Sequence, residues 1–127
     1  MMKQITVIIE NKIGALASIT DVLGRSGVNI VSISAQGFEN TGIIRILTPD
    51  IITATNELSK AGFNAVVSDV IILKMIDRPG ELSKTTKKLS KDGLNIRSVY
   101  IIGKDNEGRT EVVIDPEDYK RALKVIG

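Results

Sequence analysis

The chain has 127 residues, enough for one domain or two very small ones, and neither cysteine nor histidine occurs in it. That excludes disulfides, zinc fingers, CxxC redox and metal-transport motifs, Ser-His-Asp triads and thiol nucleophiles together. Lys and Arg number 17 against 15 Asp and Glu, and the net charge of +2 is too slight to point to nucleic acid or an anionic membrane.

Residues 4–10 (QITVIIE) form a short β-branched run, which predicts a strand, and NKIG breaks it. The apolar stretch is too short for a membrane helix, is followed by Glu10 and lacks a small-residue cleavage site, so it does not read as a signal peptide. With no export signal and no disulfide, the cytoplasm is the expected address. Leu16, Ile19 and Leu23 have helical spacing and predict a helix over 15–26, stopped by Gly27. Residues 29–36 alternate as a half-buried strand, 37–42 (GFENTG) read as a hairpin turn, and 43–48 (IIRILT) return. Thr48-Pro49 predicts the opening of a second helix with Ile51, Ala54, Thr55 and Leu58 on its apolar face, ended by Gly62. Residues 63–70 give a fourth strand.

The same order then starts again. Residues 71–76 are a strand, DRPG a break, 81–92 a helix, 96–102 a strand, 103–108 (GKDNEG) a turn and 109–114 a strand. Asp115-Pro116 predicts the cap and start of a last helix carrying Tyr119, Ala122, Leu123 and Ile126. Between 63 and 76 only Ser68-Asp69 resembles a turn, so one long bent strand shared by both halves is expected there. A shift of 66 residues superposes Gly14–Ser32 on Gly80–Ser98 with eight identities in 19 pairs, Leu23/Leu89 and Asn29/Asn95 among them. The chain is therefore read as α+β: two ferredoxin-like βαββαβ units, 1–70 and 71–127, with antiparallel sheets and helices on one face. The second unit reaches Gly127 without a fourth strand, and the open edge leads us to expect a homodimer.

The turn Ile13-Gly14-Ala15-Leu16 and, more fully, Asp77-Arg78-Pro79-Gly80-Glu81-Leu82 resemble the ACT domain, as do Gly27-Val28-Asn29-Ile30 and Gly93-Leu94-Asn95-Ile96. In that family a D-R/K-P-G-x-L turn precedes the first helix and G-x-N-I leads into the second strand. The match spans nearly the whole chain twice. In the first unit Asn11-Lys12-Ile13 replaces the D-R-P portion. The arrangement is similar to small stand-alone tandem-ACT proteins. The resemblance implies a non-catalytic regulatory protein without cofactor or metal, binding an amino acid or related small molecule at the first strand–helix turn near domain interfaces. A ligand-free alternative is a regulatory subunit of an amino-acid biosynthetic enzyme, such as acetolactate synthase.

The residues support the ligand reading on their own chemistry. A helix start presents unpaired N–H groups and a partial positive charge, and glycine at 14 or 80 lets a carboxylate approach them. Asn29 and Asn95 can donate and accept, and Asp77 or Asn11 can receive an ammonium group. The candidate site is thus Asn11 to Leu16, Asn29, Ile30, Asp77 to Leu82, Asn95 and Ile96. Each feature also has a structural reading: the glycines punctuate helices, the asparagines suit turns, and Asp77-Arg78 suits a solvated turn. Leu16, Leu23, Leu82 and Leu89 read as core, and Lys84, Lys87, Lys88 and Lys91 as a solvated helix face.

Two other classes fit the residues less well. An RNA-binding sheet needs aromatics on its central strands, and QITVIIE, IIRILT, IILKMI and RTEVVI have none. An acylphosphatase-type enzyme is suggested by AQGFENTG with Arg45, but NKIGAL offers few donors for a phosphate beyond backbone and Lys12.

Overall fold

A computed structural model describes residues 2–127. The chain forms two compact units, the first ending at Ser68 and the second beginning at Asp69. The first contains β1 (Lys3–Glu10), α1 (Ala15–Arg25), β2 (Ser32–Phe38), β3 (Thr41–Thr48), α2 (Ile51–Lys60) and β4 (Ala65–Asp69). The second contains β5 (Ile71–Met75), α3 (Glu81–Lys91), β6 (Ile96–Lys104), β7 (Thr110–Pro116) and α4 (Tyr119–Ile126).

Both sheets place the first strand beside the third and the second strand at an edge, giving β2-β3-β1-β4 in one unit and β5-β7-β6 in the other. The register of β1 on β3 pairs Ile5 with Ile46 and Val7 with Ile44. Period-two alternation puts all four on one face. There they meet Ile19 and Leu23 of α1 and Ala54 and Leu58 of α2, and every one of these is essentially buried. In the second unit Ile71, Val112 and Ile114 meet Leu89 of α3 and Ala122 of α4 in the same way. Each buried aliphatic side chain of this size contributes about 1.5–3 kcal/mol of apolar burial.

The helix stops work as the glycines predict. Gly27 and Gly93 both have φ of +71°, and the following N–H groups of Val28 and Leu94 donate to the carbonyls of Leu23 and Leu89 at 3.0 and 2.9 Å. Those bonds close Schellman motifs at the ends of α1 and α3.

Several expectations need correction. Pro49 does not open α2: Asp50 is the cap, its carboxylate accepting from the Thr53 N–H at 3.3 Å. Asp115-Pro116 does not open α4 either, because β7 continues through both, and Asp118 is the cap. Arg97 explains the extension, since it donates to Asp115 at 3.1 Å and to the Pro116 carbonyl at 3.2 Å. β2 starts at Ser32 rather than 29 and runs to Phe38, so the hairpin turn shrinks to Glu39 and Asn40. The single bent strand expected across 63–76 is two strands, β4 and β5, which lie in different sheets and are separated by Val70. Leu16, expected in the core, is 43% exposed, whereas Leu82 packs against the second core.

Candidate functional site

The two turns that lead from the first strand of each unit into its first helix have nearly the same backbone. Gly14 sits at φ +87°, ψ −8° and Gly80 at φ +89°, ψ −9°. Each is the N-terminal flanking residue of its helix, and neither helix start is capped by a side chain. The contrast with α2 and α4 is direct, because Asp50 and Asp118 cap those two. A Cβ at Gly14 or Gly80 would meet no atom within 4 Å. Glycine is therefore required by the left-handed backbone and not by crowding, and any other residue there carries about 1–3 kcal/mol of strain. A Gly80→Val substitution consequently tests the backbone and not ligand approach.

In the first unit the turn is open. The Ala15 N–H donates to the Lys12 carbonyl at 3.2 Å within the turn. Lys12 points back to Glu10 at 3.6 Å, Ile13 is fully exposed and Leu16 is exposed. Asn11 is tied to the hairpin: its Nδ2 donates to the Glu39 carbonyl at 3.0 Å and its backbone N–H to the Asn40 carbonyl at 2.8 Å. Its side chain also lies where a Cβ on Gly37 would fall, so Asn11 acts as a strut between β1 and the β2–β3 turn.

In the second unit the turn is crossed by ion pairs. Lys104 reaches Asp77 at 2.7 Å, and Arg78 pairs with Glu81, which also meets Lys84 at 3.3 Å. The Lys104 ammonium lowers the Asp77 pKa, and the Arg78 guanidinium lowers that of Glu81. Asp77 thus already holds a cation where a ligand ammonium was expected. Leu82 anchors the helix start in the core.

Asn29 and Asn95 are exposed, while Ile30 and Ile96 pack on their respective cores. Within a unit each asparagine follows the C-terminal end of an 11-residue helix whose N-terminus carries the glycine turn. At 1.5 Å per residue the two are about 16 Å apart along the helix, so one unit does not bring them to one point. Asn95 instead lines a shallow concavity of about 410 Å³ with Thr86, Ser90, Gly93, Leu94 and Ile96.

Local spacing in the sequence gives no sign of Lys104 at the second turn. Its signal lay in register, because extending β6 past Gly103 carries a cation to the end of the sheet beside Asp77. The Arg78–Glu81 contact was legible as an i,i+3 pair. Among the described residues no cluster of acidic side chains could hold a metal, and no helix is long and apolar enough to cross a membrane.

The family model of the ACT domain pair matches residues 1–126. The chain belongs to that family. Among solved structures, this ACT pair is similar to protein BT0572 from Bacteroides thetaiotaomicron, at 28% identity and a TM-score of 0.83, covering 97% of this chain and 84% of that one. It is also similar in fold to the ligand-free regulatory subunit of aspartate kinase from Thermus thermophilus, with 19% identity, a TM-score of 0.68 and coverage of 98% and 89%. The regulatory subunit of aspartate kinase from Thermus flavus gives 18% identity, a TM-score of 0.71 and coverage of 98% and 89%. No curated protein sequence matches the ACT pair.

Proposed function

We infer that this ACT pair is a non-catalytic regulatory protein that binds a free amino acid, or a closely related zwitterion, at its glycine turns. The observation that carries this reading is the pair of left-handed, side-chain-uncapped helix starts at Gly14 and Gly80, in a chain whose other two helices are capped by aspartate. Their N–H groups and helix dipoles favour a carboxylate. The candidate residues are Asn11 to Leu16 and Asp77 to Leu82, whereas Asn29, Ile30, Asn95 and Ile96 lie about a helix length from the glycine of their own unit. Fold likeness to regulatory subunits of aspartate kinase is in keeping with a role in controlling an amino-acid biosynthetic enzyme.

A thermal-shift screen against the twenty amino acids tests this. A ligand at 100 times its dissociation constant stabilises the folded state by about 2.7 kcal/mol. A rise in Tm for one or a few amino acids, followed by a calorimetric binding isotherm, is the expected result. The second reading, an interaction subunit without a ligand of its own, is favoured by the ion pairs that already fill the Asp77–Glu81 turn. It predicts no shift with any amino acid and co-purification with a larger enzyme.

A further inference from the structure

The two sheets share one plan, so the second is a control for the first. Ile44 and Ile46 of β3 face the helices, and alternation turns Ile43 and Arg45 to the opposite face. Register places Ser34 of β2 and Thr6 of β1 directly on either side of Arg45. The matching row of the second sheet lies beside Ile71 and Ile114, as this one lies beside Ile5 and Ile46, and it reads Tyr100, Val113 and Ile72. Val113 is fully buried. The fold thus accepts valine where the first unit carries a guanidinium, and Arg45 is not a requirement of the sheet.

Arg45 sits on an interior strand and is half-buried, yet among the described residues its side chain has no ion pair and no hydrogen bond. The Thr6 hydroxyl accepts from Gln4 Nε2 at 3.2 Å, which leaves its own proton to donate. A partly desolvated cation is stabilised by an anion with hydrogen-bond acceptors, and the planar fork of arginine matches a carboxylate. One row further along the same face Ile43 pairs with Ile8 and Gln36, and the next row is Phe38, Thr41 and Glu10. Phe38 is 73% exposed and Ile8 62%. Gln36, Phe38, Glu39, Asn40, Thr41 and Ile43 line a concavity of about 420 Å³, within the range of small-molecule sites. The hairpin at its rim is held by the Asn11 amide, which donates to the Glu39 carbonyl at 3.0 Å. Glu10 and Glu39 stand at that end and disfavour a second anionic group there.

We propose that this face of the first sheet is a small-molecule site separate from the glycine turns, and that it takes a monocarboxylic acid with an apolar body. Arg45, with the Ser34 and Thr6 hydroxyls, holds the carboxylate, and Ile43, Ile8 and Phe38 hold the aryl or branched alkyl chain. Rows on one face repeat about every 7 Å along the strands, so a short chain leaving Arg45 passes over Ile43 towards Phe38. The site does not depend on amino-acid binding at Gly14 or Gly80.

Two-dimensional ¹⁵N NMR of the full chain, titrated with 3-phenylpropanoate and separately with 3-phenylpropanamide, tests this. The acid is expected to move the Arg45 Nε–H resonance and the amides of Gln36, Phe38 and Ile43. The uncharged amide should bind at least about tenfold more weakly, because the charge-assisted pair is lost. Arg45→Val installs the residue of the second sheet and should keep peak dispersion and Tm while abolishing the response; Arg45→Gln is the second variant if that one fails to fold. Phe38→Ala should weaken the acid several-fold with the Arg45 Nε–H still responding. No shift at about 10 mM acid, equal binding of acid and amide, or an unchanged response in Arg45→Gln overturns the proposal. Shifts of the same amides that grow with protein concentration in the absence of ligand assign the face to a second copy of the chain and overturn it as well.

Discussion

Asp77, Glu81 and Asp105 are the carboxylates whose protonation the fold resists. Lys104 acts on the first and Arg78 on the second. Asp105 is held below the usual carboxylate range chiefly by hydrogen bonds from the Arg109 and Glu107 backbone N–H groups, both 2.9 Å, together with the Arg109 side chain. Each has a folded-state pKa below its unfolded value, so each adds stability that is present above the ordinary carboxylate range and is lost as pH falls through the lowered value. Melting temperature is therefore expected to be level with respect to these groups above about pH 5 and to fall below about pH 4. Asp105→Asn should flatten that acid limb, since Asn keeps an acceptor for the two N–H groups but removes the titrating charge. An unchanged acid limb in that variant would show that the turn at 105–109 contributes nothing to it.

The helices show how local chemistry and context divide the work. Binary spacing and terminal glycines located all four, and α1 and α3 fall in register under the 66-residue repeat. Their starts were harder. Pro49 and Asp115-Pro116 carry valid start signals, but the chain uses the next suitable carboxylates, Asp50 and Asp118, after the preceding strand has finished pairing. Substituting either cap by alanine is expected to cost about 1 kcal/mol, within a range of 0.5–2, by leaving an N–H of the first turn unsatisfied. Asp50→Ala and Asp118→Ala measured by urea denaturation check this, with Pro49→Ala and Pro116→Ala as comparisons. A larger loss from Pro49→Ala than from Asp50→Ala would return the start of α2 to the proline.

For the whole molecule the sheet edges are the surfaces that govern association. β2 and β6 hold repeat-equivalent edge positions, and among the described residues β5 pairs with β7 alone, where the equivalent strand β1 lies between β3 and β4. Unpaired edges template association. The edge strands also expose apolar side chains, Ile33 and Phe38 on β2 and Val99 and Ile101 on β6. We expect a homodimer by side-by-side sheet pairing, with light scattering giving twice the chain mass of 13.7 kDa at micromolar concentration. A charge placed on an edge, as in Ile101→Lys, should shift the protein towards the monomer; a monomeric wild type at high micromolar concentration would refute the expectation.

The sequence by itself determined the repeat, the order of elements and the two cores. Period, glycine stops and β-branched runs act over a few residues, and Leu23 and Leu89 declare themselves by helical spacing, whereas Leu16 has the same spacing and is exposed. It also located the glycine turns, because the left-handed backbone at Gly14 and Gly80 admits few other residues. Only the tertiary structure decided what surrounds those turns. Asn11 is occupied by a hairpin carbonyl 28 residues away, Asp77 is occupied by a lysine at the far end of β6, and Asn29 and Asn95 stand a helix length from the glycines of their own units. The physical reason is range. A helix start is fixed by local dihedral angles, whereas the partners of an exposed carboxylate or amide are chosen by strand register, which brings together side chains that no local spacing connects.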